Sequence, residues 1–150
     1  MGEVIGVLGE NGIGKTTFVK ILADVIKKDA GELSSNVQVS YKPQYLEPND
    51  ELVMVALQST IKKYTNQVIN PLNLKQLYEK KLNELSGGEL QKVAIAHCLS
   101  KDADLFLLDE PSAYLDIEQR LIVSKVIRDF MELQNKSALV VDHDLLFLDY

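Results

Sequence analysis

Gly9, Gly14, Lys15 and Thr16 stand in the spacing G-x-x-x-x-G-K-T within GENGIGKTTF, residues 9–18. Side chains this small do not fill a core. Glycines instead let the backbone turn tightly and bring its N–H groups close to an anion. In this spacing the chemistry is phosphate binding: Lys15 reaches the terminal phosphates and the Thr16 hydroxyl can ligate Mg²⁺.

Two more segments carry reactive groups. Leu105-Phe106-Leu107-Leu108 runs into Asp109-Glu110, and Ala138-Leu139-Val140-Val141 runs into Asp142-His143. Asp109 is placed to hold Mg²⁺, directly or through water. Glu110, the next residue, is expected to point elsewhere, because alternate residues leave a strand in opposite directions. It could polarise an attacking water, a role worth roughly 10²–10⁴ in rate. His143 could hydrogen-bond a terminal phosphate, although a lone histidine after a strand is more often structural. In Leu85-Ser86-Gly87-Gly88-Glu89-Leu90-Gln91, Ser86 and Glu89 form a capping box at a helix start. Two glycines in a first turn cost about 1 kcal/mol each against alanine. That expense suggests an exposed amide surface for a second phosphate, one bound on a partner.

These groups need elements to position them. Val4 to Leu8 reads as a buried strand, and the segment after the loop is helical, with Phe18, Ile21, Leu22 and Val25 on one face. The short unalternating runs at 105–108 and 138–141 suit strands buried on both faces. Helical stretches separate them, notably 117–133, so the expectation is βαβ units and a parallel sheet. Ligands gather at the carboxyl ends of such strands, where the glycine loop, Asp109-Glu110 and His143 all fall. Between 45 and 85, Met54, Val55, Leu57, Ile61 and Tyr64 form one amphipathic stripe, and Leu72, Leu74, Leu77, Tyr78 and Leu82 another. Both are expected to be core. Lys62-Lys63 and Lys80-Lys81 read as solvated faces.

The 150 residues bound a single domain with a substantial core. The net charge of −6 argues against broad sequence-independent nucleic-acid binding. The lone Cys98 excludes an internal disulfide and suits a reducing cytoplasm. No apolar run approaches the ~20 residues that span a bilayer. Both ends read as cut: a core strand follows Met1-Gly2 directly, and an apolar helix begun after His143 stops at Tyr150.

Together these motifs resemble the ATP-binding-cassette ATPases over essentially the whole length. The Walker A loop is Gly9 to Thr16, and Gln44 in Tyr41-Lys42-Pro43-Gln44 looks like the Q-loop glutamine. Leu85 to Gln91 looks like the signature motif, Leu105 to Glu110 like Walker B, Ser112 to Asp116 like the D-loop, and His143 like the switch histidine. YKPQ, LSGGELQKVAIAHCLSKDADLFLLDEPSAYLDIEQR and VVDHD narrow the resemblance to the second cassette of the RNase L inhibitor family of ribosome-recycling ATPases. Glu89 in place of glutamine, the added Tyr114, Glu10 and Thr16-Thr17 all fit that cassette; Asp24 departs from the usual glycine. The resemblance implies an α/β P-loop NTPase fold: a mainly parallel sheet flanked by helices (core lobe 1–44 and 86–150, without its outer strands) plus a small helical lobe (45–85).

The implied nucleotide site comprises Gly9, Glu10, Asn11, Gly12, Ile13, Gly14, Lys15, Thr16, Thr17 and Asp116, with Ser86, Gly87 and Gly88 serving a partner's ATP. Glu110, His143 and Gln44 are the implied catalytic residues, and Thr16, Gln44 and Asp109 the Mg²⁺ ligands. Implied partners are a second cassette and, through a longer parent protein, the ribosome, in the cytoplasm. A membrane-transporter cassette would use the same residues. A chromosome-maintenance ATPase would need a long coiled coil where only 41 residues separate Gln44 from Ser86. A nucleotide-binding module without turnover is a further alternative.

Overall fold

The computed structural model describes residues 2–8, 38–42, 47–144 and 147. Within them four strands form one parallel sheet: β1 (Glu3–Leu8), β2 (Val39–Lys42), β3 (Leu105–Asp109) and β4 (Ser137–Asp142), in the order β1-β4-β3-β2. The expected runs at 105–108 and 138–141 are the two central strands. β2 was not anticipated, because Ser40 and Lys42 interrupt its apolar pattern.

Pleating sends alternate side chains to opposite faces. Phe106, Leu108, Ala138 and Val140 join the main core, while Leu107 and Val141 join a smaller cluster with Val39, Tyr41, Leu105 and Leu139. Helices cover the first face. α1 (Val53–Ala56) and α2 (Gln58–Tyr64) belong to the segment between the strands; α3 (Gly87–Leu99) and α4 (Ile117–Gln134) are the long helices. α4 ends where Asn135 takes a left-handed conformation, φ 52°, a common helix stop.

The residues of the expected helical lobe share the core of the sheet. Val53, Leu57, Val68, Ile69, Leu72, Leu74 and Leu77 belong to the same buried cluster as Phe106 and Val140. Phe130 of α4 forms the joint: its ring meets Tyr64 edge-on at 4.9 Å and Phe106 at 6.0 Å. Such aromatic pairs contribute about 0.5–1.5 kcal/mol beyond their burial. The second stripe is core as expected, with Tyr78 and Leu82 at its margin. The first is core only in part. Met54 and Val55 are 46% and 53% exposed, because α1 is a single short turn that buries only Val53.

Candidate functional site

The carboxyl ends of β1, β3 and β4 lie side by side: Leu8 is in register with Asp142, and Asp109 with Val141. This edge brings the adjacent pair Asp109-Glu110 together with His143, which lies more than thirty residues further along the sequence. It is also the edge from which the chain enters the glycine loop. That loop, Gly9 to Thr17, and Gln44 lie outside the described residues.

Asp109 closes β3 and is fully buried. Lys42, 1% exposed at the end of β2, donates from Nζ to the Asp109 carbonyl at 3.0 Å. Burial pulls the Lys42 ammonium down to about 8, against the opposing field of Asp109.

Glu110 is directed by a different device from the one the sequence suggested. It is no longer a strand residue; its backbone is left-handed, with φ 46°. Its N–H donates to the Val141 carbonyl at 2.7 Å, and its own carbonyl accepts from Gln91 Nε2 at 2.7 Å. A non-glycine residue in this conformation stores on the order of 1–3 kcal/mol and persists where its surroundings fix it. Gln91, 4% exposed on α3, supplies one such fixing contact and so ties the Ser86 helix to Glu110.

His143 follows β4 with 43% of its side chain exposed, its Nδ1 3.7 Å from Asp142 Oδ1. Asp142 itself is fully buried. Its carboxylate accepts from Ser112 N at 3.0 Å, Ser112 Oγ at 2.7 Å, His143 N at 2.8 Å and Asp144 N at 3.0 Å. Ser112, Gln91, Lys42 and Asp142 are positioning groups. The sequence placed them in or beside its motifs without giving any of them a role of its own.

The Ser86 segment forms a second locus. The capping box is present: Ser86 Oγ accepts from Glu89 N at 3.2 Å, and the Glu89 carboxylate accepts from Ser86 N at 3.0 Å. That backbone bond is the main reason the Glu89 carboxyl lies below its ordinary range. Ser86, Gly87, Gly88, Lys92, Tyr114, Asp116 and Gln119 are among the residues lining an open cleft of about 510 Å³. Asp109, Glu110 and His143 are not part of its lining. Asp116 lines the cleft while capping α4, its carboxylate accepting from Gln119 N at 2.8 Å.

The two glycines have a steric reason besides amide exposure. A Cβ on Gly87 would lie 3.2 Å from the Tyr114 ring, and one on Gly88 would lie 2.9 Å from the Tyr114 carbonyl oxygen. Tyr114 makes this approach from a left-handed backbone, φ 64°, with 67% of its surface exposed.

The groups present fit Mg²⁺ bound with phosphate. Asp109 offers the oxygen donor a hard cation takes. Among the described residues no three acid, histidine or cysteine side chains gather to enclose a metal by themselves. Mg²⁺ bound with phosphates uses one or two carboxylates rather than a full protein cage. No described helix is long and apolar enough to cross a membrane.

Comparison with known proteins agrees with this geometry. The profile of a family described as ABC transporter matches residues 1–113. An uncharacterised ABC transporter ATP-binding protein of Methanocaldococcus jannaschii is 57% identical over 99% of this chain and 26% of its own length. ABC transporter E family member 3 of Arabidopsis thaliana is 41% identical over 95% of this chain and 86% of its own length. Among solved structures, the crystal structure of the complex of archaeal ribosomal stalk protein aP1 and archaeal ribosome recycling factor aABCE1 matches with a TM-score of 0.86. It is 51% identical and covers 99% of this chain and 30% of that one. The chain thus spans about a quarter of the first relative's length.

Proposed function

The chain belongs to the ABC transporter family and, within it, to the E family, and on that premise we propose that it is an ATP-hydrolysing cassette of a ribosome-recycling protein. The observation that carries the reading is the meeting of Asp109, Glu110 and His143 at the carboxyl edge of adjacent parallel strands, beside the exit of β1 into the glycine loop. Mg-ATP, when bound, supplies the electrophilic γ-phosphorus. Lys15 and the loop amides would hold the phosphates, and Thr16, Gln44 and Asp109 would supply the oxygen donors for the cation. Glu110 would orient and polarise the attacking water, and Gln44 and His143 would hydrogen-bond the γ-phosphate.

The separate Ser86 cleft supports a composite site. Ser86, Gly87, Gly88 and Asp116 serve the nucleotide of a second cassette, whose matching surface serves this one. The exposed Tyr114 and Ile117 beside that cleft suit a covered surface. The two cassettes close with ATP between them and part after hydrolysis. In the parent protein this motion splits ribosomal subunits in the cytoplasm, a reading supported by the likeness to the archaeal recycling factor.

The test is Glu110→Gln in the intact protein. ATP binding should persist while hydrolysis falls by roughly 10²-fold or more, and the closed ATP-bound form should accumulate. Turnover at the parent's rate would remove Glu110 from the catalytic role.

A further inference from the structure

We infer that Asp142 is a positioning residue that locks the turn after Glu110 to the turn carrying His143, so that the two groups are held in one fixed relation. The inference rests on the ATPase reading above. Three ties span the two turns in chain order. Glu110 N donates to the Val141 carbonyl. Ser112 donates twice to the Asp142 carboxylate, from N at 3.0 Å and from Oγ at 2.7 Å. Arg120 then donates from Nε to the Leu115 carbonyl at 2.8 Å and from Nη1 to Asp144 Oδ2 at 2.6 Å.

Asp142 is the centre of this brace. The same carboxylate that holds Ser112 also accepts from His143 N and Asp144 N, which fixes the start of the histidine turn. Asp142 is fully buried and Ser112 is 1% exposed, so water does not compete for these bonds. Bonds to a buried charged acceptor are the stronger kind, and a fully satisfied network resists partial opening. The pleat puts Asp142 on the sheet face opposite Asp109, with Leu108 and Val140 rather than with Leu107 and Val141. Its carboxylate therefore acts through the two turns and not on the cation. A displacement of His143 by about 1 Å would be costly, since misplacement on that scale can lose 10²-fold in rate.

The test uses Ser112→Ala, which removes one donor and leaves the fold's other ties. In the intact protein kcat should fall roughly 10-fold or more while the KM for ATP stays within about twofold. Combined with His143→Gln, Ser112→Ala should cost less than the product of the two single losses, because part of its effect acts through the same side chain. A second readout does not depend on turnover. The His143 ring resonances, assigned by their disappearance in His143→Gln, should shift or broaden in Ser112→Ala without nucleotide. Normal kcat, a multiplicative loss in the double variant, or unmoved His143 resonances would overturn the brace. If the resonances respond while Glu110→Gln leaves turnover intact, the brace stands and the role given to Glu110 falls.

Discussion

Glu110 leaves β3 by a left-handed turn, and the groups that hold it there come from two other elements, β4 through Val141 and α3 through Gln91. The water-orienting role proposed for Glu110 needs this kind of support, because the direction of its side chain is set by backbone conformation and not by strand alternation. Cys98 shows burial acting on a single group without catalytic purpose. The thiol is 3% exposed on α3, and burial raises its pKa from 9.0 to about 11, with the Ser40 hydroxyl 3.2 Å away opposing the shift. The folded protein therefore keeps the thiol proton that the unfolded chain releases above pH 9. The associated stability is present below pH 9 and is lost as pH rises toward 11. By pH 10 the stability advantage over Cys98→Ala should shrink by about 1 kcal/mol relative to pH 7. Urea titrations of both proteins at the two pH values check this; an unchanged difference would contradict the shift.

At the scale of elements, the start of α3 and the 112–116 turn are built against each other. Gly87 faces a side chain, which can move; Gly88 faces a backbone oxygen, which cannot move without carrying its turn. Gly88→Ala should therefore lower Tm more than Gly87→Ala. Tyr114→Ala should recover the loss in Gly87→Ala and leave the Gly88→Ala loss in place. Thermal melts of the parent, the three single variants and the two double variants decide it. Equal recovery of both would mean that the ring, and not the backbone, sets the spacing at both positions. The same contact gives the added Tyr114 a purpose: it occupies space that the two glycines leave open.

For the whole molecule, Asp109, Glu110 and His143 do not line the Ser86 cleft. On the composite site proposed above, one copy presents two different half-sites, so turnover should require a second cassette. ATPase activity per mole of this 150-residue chain should be low and should rise with protein concentration. A concentration series of steady-state rates measures this. Robust turnover independent of concentration would show that one copy holds a complete site. The core has the opposite character: Tyr64, Phe130 and Phe106 join the 47–84 region to the sheet, and the larger of the two buried clusters runs across both.

The motifs, the central strands β3 and β4, the capping box and the long helix from 117 were legible in the sequence because each is a local pattern. A run of apolar residues, a serine three before a glutamate, or a period near 3.6 is decided by neighbours in the chain. What the sequence left open depends on contacts between distant segments. β2 is a strand because β3 lies beside it, despite Ser40 and Lys42; those polar groups reach Cys98 on α3 and the Asp109 carbonyl. Met54 and Val55 lie outside the core because a stripe cannot say where its packing surface ends. The reach of Tyr114 over Gly87 depends on where the 112–116 turn lands. Asp142 was visible only as an acid before a histidine. Its part in the site was decided by Ser112, thirty residues earlier in the chain, since only folding brings a hydroxyl and an amide to a buried carboxylate that requires them.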